Sequence, residues 1–267
     1  MTLAEINPEY AIQSNQQGQQ FPALQVNDYE PRSLDAEINF CISEDSYQLI
    51  EDSSPLFNTE IIECIYNQKS TLMHKIITPV RWIFLNIPPL FAKDRDTGEI
   101  SYLQKGERLK ETNRVSAAKC FLACLVNGEL IKSPDGKPEI FTLNLTSSKT
   151  NLIGSRKIDS TDKTLLDLNT GLQKFHKIKG NLIHLASVGV TAKPKVFQSS
   201  DKKTSSLGVM FYLEENAKAL REEQQQEIFE LVSDEKIQAI FNDPFGLKQS
   251  QDVNQRAGLV EHEEEEF

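Results

Sequence analysis

Cysteine is scarce in this chain, and apolar residues never form a long run. The four cysteines, Cys41, Cys64, Cys120 and Cys124, are too few in 267 residues for a disulfide framework, and none lies in a C-x-x-C pair. No apolar run approaches the roughly 20 residues that a membrane span needs. The first twenty residues are polar and acidic rather than a basic start followed by an apolar core. We therefore expect a cytoplasmic protein without disulfide bonds or membrane insertion.

The sequence also lacks the local motifs that identify common enzymes. It has no glycine-rich phosphate loop, no G-x-S-x-G and no H-E-x-x-H. Asp96-Thr97-Gly98 has the letters of an aspartic-protease core, but Lys93-Asp94-Arg95 precedes it where that motif needs an apolar strand, so we predict a turn. Cys120 and Cys124 lie in an apolar stretch without a histidine at ligand spacing, which favours core cysteines. The sequence therefore predicts no catalytic residue, no cofactor and no metal.

Charge is unevenly distributed along the chain, whose formal net charge is −10. Acidic residues outnumber basic ones twelve to two in residues 1–70 and fifteen to five in residues 205–267, whereas basic residues lead by twenty-two to twelve in residues 71–204. A polyanion responds to the local field within about 10 Å at physiological salt rather than to the average over the chain. The basic centre therefore predicts a surface for nucleic acid despite the acidic total.

Apolar patterning predicts a mainly β protein with helical additions. The order of elements is strand, basic connection, strand, hairpin, strand, helix, strand, basic loop and strand. This is the order of an OB-fold, a five-stranded barrel with a helix between strands 3 and 4. The predicted helix covers residues 165–175, where leucines have helical spacing. The strands end at turn signals and cover residues 80–87, 100–103, 119–131, 137–145, 182–190 and 207–213.

The same patterning divides the chain into four parts. Residues 1–33 are largely polar and without period, so we predict a flexible polar leader. Residues 34–213 are predicted to form the OB-like nucleic-acid-binding domain with an N-terminal extension. Acidic, helix-prone sequence predicts a helical segment over residues 214–241, with Ser233 as the cap of its last helix. Residues 242–267 are predicted to be a disordered acidic tail.

Basic residues collect in the two connections that commonly bind ligands in an OB-fold, 92–118 and 191–206. Lysine and arginine attract phosphates regardless of base sequence, and exposed rings stack on bases with roughly 1–3 kcal/mol per base. The cations expected to bind phosphates are Arg81, Lys105, Arg108, Lys110, Arg114, Lys193, Lys195, Lys202 and Lys203. The rings expected to stack are Trp82, Tyr102 and Phe197, and the alternative is that these rings fill the core.

The last residues of the sequence combine acidity with an aromatic ring: Glu263, Glu264, Glu265 and Glu266 are followed by Phe267. A ring beside a carboxylate is a compact anchor for a partner pocket with a nearby cation. In this pattern the chain resembles bacterial and phage single-stranded DNA-binding proteins, whose OB-fold is followed by an acidic tail ending in Phe. The resemblance implies that these five residues recruit replication and recombination enzymes and compete with DNA for the basic groove. A tail that only improves solubility is the alternative.

Together these patterns predict a non-enzymatic protein that binds single-stranded nucleic acid, DNA more than RNA, without sequence preference, in replication or recombination. Its oligomeric state stays open. One alternative is an interaction adaptor whose acidic regions engage basic partners and which does not bind nucleic acid. Another is a hydrolase or nuclease with an unrecognised metal site. Convergence of the central cations on one surface would favour the first hypothesis, and carboxylates clustered in a cleft would favour the last.

Overall fold

The computed structural model shows a mainly β protein with helical additions, as predicted. It describes residues 21–28, 31–50, 58–66, 69–86, 89–103, 114–146, 155–157, 163–165, 183–198, 203–213 and 217–247. The strands are β1 (Ala23–Val26), β2 (Phe40–Ser43), β3 (Thr59–Tyr66), β4 (Lys69–Ile76), β5 (Val80–Phe84), β6 (Leu90–Asp94), β7 (Ile100–Tyr102), β8 (Arg114–Val126), β9 (Glu129–Leu130), β10 (Phe141–Thr146), β11 (Ser155–Lys157), β12 (Lys163–Leu165), β13 (Ala186–Ser187), β14 (Val190–Gln198), β15 (Ser205–Leu213) and β16 (Lys218–Ala219). The helices are α1 (Glu44–Gln48), α2 (Glu222–Ser233) and α3 (Glu235–Asn242), with a 3-10 turn at Ile183–Leu185.

Ten strands form one mixed sheet in which β8 has the most neighbours. The order across the sheet is β3-β4-β2-β1-β10-β8-β6-β7, and β5 and β9 also pair with β8. All of these pairs are antiparallel except β1 with β10. Three further pairs stand apart from this sheet: β11 with β12, β13 with β16, and β14 with β15.

β8 is buried on both faces because other elements pack on each side of the sheet. Its even-numbered residues between positions 118 and 126 belong to a core cluster that includes Trp82 and, from the β14–β15 hairpin, Val190 and Phe211. Its odd-numbered residues between 121 and 125 belong to a second cluster with α2 and α3. Side chains alternate along a strand, so an unbroken apolar run suits a strand covered on both faces. The hairpin, the sheet and the helices therefore form three layers.

Two tight turns follow β8. Asn127 and Gly128 have φ of 54° and 84° and connect β8 to β9, which is the left-handed pair of conformations that an Asn-Gly hairpin turn requires. The predicted turn at Ser133–Gly136 is confirmed, because the Ser133 N–H donates to the Lys137 carbonyl at 2.9 Å. The predicted strand 119–131 ran through Asn127-Gly128, so the first of these turns was missed although its sequence signal is strong.

The predicted flexible leader, residues 1–33, is corrected by the structure for residues 21–28. β1 lies inside the sheet between β2 and β10, and its residues Leu24 and Val26 are buried. Four alternating residues beside a glutamine-rich stretch are too short a pattern to distinguish from loop. Residues 1–20 lie outside the described residues.

The predicted basic loop 191–206 is instead largely a β-hairpin. β14 and β15 pair over nine residues each, from Val190 opposite Leu213 to Gln198 opposite Ser205. The sequence of β14 did not indicate a strand because it contains two lysines and Pro194. Both residue types are depleted in strands, and proline is tolerated mainly at sheet edges. A two-stranded ribbon offers such an edge.

Pairing among the described strands does not close the predicted five-stranded barrel. β5, β8 and β10 cover much of three predicted strands and are neighbours in one sheet, whereas β14 and β15 pair with each other. An antiparallel bridge joins Trp82 of β5 to Val188 just before the hairpin, with backbone hydrogen bonds of 2.7 and 2.8 Å. Within the predicted helix 165–175, Leu165 ends β12 and the other residues lie outside the described ranges.

Two helices occupy the later part of the segment 214–241. α2 buries Ile228, Leu231 and Val232 against the sheet. α3 begins after Asp234, whose carboxylate accepts hydrogen bonds from two backbone N–H groups. Asp234 is therefore the cap, one residue after the predicted Ser233, because its carboxylate reaches the free donors of the first turn.

Burial of Glu139, just before β10, predicts a pH-dependent stability. Glu139 is 9% exposed, and burial raises its pKa to about 7 from the usual 4.5. A carboxyl group whose pKa is raised by folding stabilises the fold when protonated, so this contribution is complete below pH 4.5 and is lost as the pH rises towards 7. We expect Glu139→Gln to raise Tm by several degrees at pH 8 and to leave it nearly unchanged at pH 4, as measured by thermal unfolding.

Asp135→Asn is the matched control. The Ser133 hydroxyl group lowers the pKa of Asp135, so loss of this carboxylate should reduce Tm at pH 8 rather than raise it. A Glu139→Gln shift of equal size at both pH values would contradict the assignment to Glu139 ionisation.

Candidate nucleic-acid interface

The β14–β15 hairpin brings basic and aromatic side chains to one face. Directly opposite residues of an antiparallel pair point to the same side, and side chains alternate along each strand. One face packs into the core through Val190, Ala192, Val209 and Phe211. The opposite face, which we call the outer face, carries Thr191, Lys193, Lys195 and Phe197 from β14 and Ser206, Gly208, Met210 and Tyr212 from β15.

The far half of the hairpin extends beyond the core. On the core-side face, Val209 is 0% exposed, whereas Val196, farther from the base, is 44% exposed. Lys193 and Lys195 are exposed, and Phe197 is half-buried. Lys195, Val196 and Gln198 near the tip of the hairpin are therefore exposed to solvent.

The described part of the hairpin carries positive charge only. Residues 190–198 and 203–213 contain Lys193, Lys195 and Lys203 and no Asp or Glu. Among the described residues, neither Lys193 nor Lys195 forms an ion pair. These two ammonium groups are not neutralised by a described carboxylate, so they can attract phosphate.

The outer face places its charges and its ring in a line. Lys193, Lys195 and Phe197 occupy alternate positions of β14, which sets neighbouring side chains about 6.6 Å apart and the whole row at about 13 Å. Gly208 lies opposite Lys195, and Ser206 lies opposite Phe197. Ser206 is exposed, whereas Gly208 and Met210, which lie opposite Lys195 and Lys193, are buried, so the accessible part of the outer face is the β14 row itself.

Trp82 does not lie on this surface. Its side chain is 2% exposed and packs edge-on against Phe40 and Phe141, with ring centroids 6.3 and 5.8 Å away. The prediction that Trp82 stacks on bases is therefore wrong, and the alternative that it fills the core is confirmed. The physical reason is that β5 lies between the hairpin and the helices, so both of its faces are covered.

Arg81 holds the sheet to the strand that precedes the hairpin. Its Nε donates to Ser187 Oγ at 3.2 Å, and its Nη2 donates to the Ser187 carbonyl at 2.9 Å. Because these donors are used inside the fold, the prediction that Arg81 binds phosphate is corrected to a positioning role near the base of the hairpin.

Tyr102 anchors the segment that follows α3. Its hydroxyl group donates to Asp243 Oδ1 at 2.7 Å and accepts from the Phe245 N–H at 3.2 Å. The Phe245 ring packs on Phe91 with centroids 4.7 Å apart, and Lys119 Nζ lies 5.3 Å from its centroid. Burial and the bond to Asp243 raise the pKa of Tyr102. Tyr102 is thus committed to structure rather than to base stacking, and the start of the predicted tail is part of the fold.

The remaining predicted site residues lie mostly beyond the described ranges. Lys203 is exposed where the chain enters β15. Arg114 begins β8 opposite Asp94. The residues that lie outside the described ranges are Lys105, Arg108, Lys110, Lys202, Glu263, Glu264, Glu265, Glu266 and Phe267. For these the expectations stay predictions.

A buried histidine cluster was missed by sequence reasoning. His74 Nε2 lies 2.6 Å from Glu44 Oε2, and His74 Nδ1 lies 3.3 Å from Thr59 Oγ1. The Tyr47 ring stacks on the imidazole with centroids 3.8 Å apart. The three partners come from β3 and α1, so the cluster secures α1 to β4. No local sequence pattern indicates this cluster, because the hydrogen-bond partners are 15 and 30 residues from His74 along the chain.

Neither a metal centre nor a membrane-spanning helix is found in the described ranges. No group of three or more His, Cys, Asp or Glu residues there could hold a metal ion. No helix there is both long and apolar enough to cross a membrane. Cys41, Cys64, Cys120 and Cys124 are buried free thiols, and burial raises the pKa of each of them.

Comparison with known proteins adds no relative. No protein-family model matches the chain, and neither a curated protein nor a solved structure is detectably similar to it.

Removal of the Tyr102 hydroxyl group tests its role as an anchor. Tyr102→Phe removes the hydroxyl group that donates to Asp243 and accepts from the Phe245 N–H, and we expect the free energy of unfolding to fall by about 1–2 kcal/mol in urea denaturation. Oligonucleotide affinity should not change, since the ring is not part of the outer face. Tyr47→Phe is the control, because the Tyr47 hydroxyl has no hydrogen-bond partner among the described residues. Equal losses in the two variants would contradict the anchoring role.

Proposed function

We propose that the protein binds single-stranded nucleic acid without sequence preference through the outer face of the β14–β15 hairpin. The observation that carries the proposal is the row of Lys193, Lys195 and Phe197 on the face turned away from the core. This face is acid-free in its described part. We infer DNA as the preferred ligand and a non-enzymatic role in replication or recombination in the cytoplasm, in keeping with the family that the sequence resembles.

A bare strand suits this surface better than a duplex. A ring binds a nucleic acid by stacking only where a base is unstacked and accessible, as it is in a single strand. Lysine ammonium groups attract the phosphates of either form, and their contribution falls as salt rises. The ring of Phe197 should therefore supply the preference for single strands, and the two lysines should supply the salt-dependent affinity.

An OB-like barrel is the finer architecture that we propose. It is supported by the bridge between Trp82 and Val188, which extends the sheet from β8 through β5 towards the hairpin. In such a barrel the β14–β15 hairpin would correspond to one of the connections that commonly bind ligands.

We further propose that the acidic residues Glu263 to Glu266, with Phe267, recruit replication or recombination proteins. Support comes from the composition of this segment and from the family it resembles. The basic outer face also offers these glutamates an internal site, so the segment should compete with nucleic acid for the hairpin. Competition of this kind is strongest at low salt.

Neutralising the two hairpin lysines tests the proposed function. We expect Lys193→Ala with Lys195→Ala to weaken binding of a labelled single-stranded oligonucleotide at least tenfold at low salt in fluorescence polarisation. The slope of log affinity against log salt should become shallower by about 0.7 for each phosphate that the variant no longer neutralises. Lys137→Ala with Lys236→Ala removes the same charge from exposed positions elsewhere and should have little effect.

Substitution of the ring separates stacking from charge. Phe197→Leu should reduce single-strand affinity by roughly 5- to 100-fold, since stacking is worth about 1–3 kcal/mol per base. Phe197→Tyr should keep the affinity, and duplex binding should change little in either variant. If the unmodified protein binds neither the single-stranded nor the duplex oligonucleotide, the proposal of nucleic-acid binding fails and the interaction-adaptor hypothesis replaces it.

Deletion of residues 261–267 tests the competing segment. We expect the shortened chain to bind a single-stranded oligonucleotide more tightly at low salt and equally at high salt, because screening removes the competition. The control replaces Glu263 to Glu266 by glutamine and keeps Phe267, and it should reproduce the gain. Unchanged affinity in both variants would rule out self-competition.

A further inference from the structure

The helical layer carries charge opposite to that of the hairpin. Residues 222–242 contain six acidic residues and one lysine. Three of the acids, Glu222, Glu223 and Glu230, are exposed on α2. The α2 surface is therefore negative on one side of the sheet, while the hairpin is positive on the other side.

An exposed aromatic residue lies within this acidic surface. Phe229 is 55% exposed, whereas its neighbour Ile228 is fully buried against the sheet. An exposed ring adds nothing to the described core, and aromatic residues are enriched where proteins contact one another. We call the exposed residues Glu222, Glu223, Phe229 and Glu230 the outer face of α2.

We propose that copies of this chain associate head-to-tail, with the outer face of the hairpin of one copy on the outer face of α2 of the next. Lys193 and Lys195 match the α2 glutamates in charge, and Phe197 offers apolar surface to Phe229. The two surfaces lie on opposite sides of the sheet within one copy. Contact between unlike surfaces does not close into a two-fold dimer, so it extends from copy to copy.

This association uses the same lysines as the proposed nucleic-acid site but does not depend on nucleic-acid binding. Ion pairs between exposed side chains are individually weak and are screened by salt. The assembly should therefore depend on protein concentration and dissociate as salt rises. A single strand that occupies the hairpin should also dissociate it.

Charge reversal with rescue provides the test, on protein freed of nucleic acid and studied by sedimentation velocity over a concentration series at low salt. We expect the mean mass to rise with concentration. Lys193→Glu with Lys195→Glu, or Glu222→Lys with Glu223→Lys, should each weaken self-association at least tenfold. Mixing the two charge-reversed proteins should restore a complex, because the acidic hairpin of one now matches the basic α2 of the other.

Two controls separate the contact from general charge effects. Asp45→Lys with Glu60→Lys makes the same charge change at exposed positions outside both surfaces and should leave association intact. Phe229→Ser should weaken association without any change in charge.

A protein that stays monomeric at every concentration, or a mixture of the two charge-reversed proteins that forms no complex, would overturn the proposal. The outcome is distinguishable from failure of the proposed function. The Glu222→Lys with Glu223→Lys variant leaves the hairpin unchanged, so it should lose self-association without losing oligonucleotide affinity.

Discussion

Burial of β8 on both faces is the constraint on which the rest of the structure depends. Four strands pair with β8, and its side chains alternate between two cores. The part of β8 that is covered on both faces must be apolar, because a polar side chain there would lose its water without gaining a partner. The residues from Cys120 to Val126 meet that requirement.

The two cores decide which surfaces remain available for function. The apolar face of the β14–β15 hairpin is buried in one core, so the lysines at alternate positions of β14 lie on the outer face. The apolar sides of α2 and α3 are buried in the other core, so the acidic residues of these helices lie on the opposite, outward side. As a consequence of this packing, the hairpin layer carries positive charge and the helical layer carries negative charge. The whole-chain net charge of −10 therefore does not reveal the basic surface of the hairpin.

Sequence patterns predicted the β-rich class and the turn at Ser133–Gly136, because both depend on local chemistry. The predictions were wrong where tertiary packing determines whether a side chain is buried and which residue it contacts. The sequence around Trp82 has the same pattern whether its side chain is covered or open to solvent. The β14–β15 hairpin packs on the Trp82 side of the sheet, and this packing excludes the solvent-facing alternative. Tyr102 pairs with Asp243 across 141 positions, a separation that no periodicity reveals. β1 was missed because four residues carry too little alternation.

The placement of the hairpin also explains why its lysines are separated by single residues rather than clustered. In a ribbon with one buried face, a cation is tolerated only at every second position, and the intervening positions must suit the core or the open tip. Pro194 and Val196 fill those intervening positions, and Val196 reaches solvent because the core ends before it. A ligand or a second copy that approaches the outer face therefore meets charges spaced by the strand repeat, and this spacing is imposed by the fold rather than by the ligand.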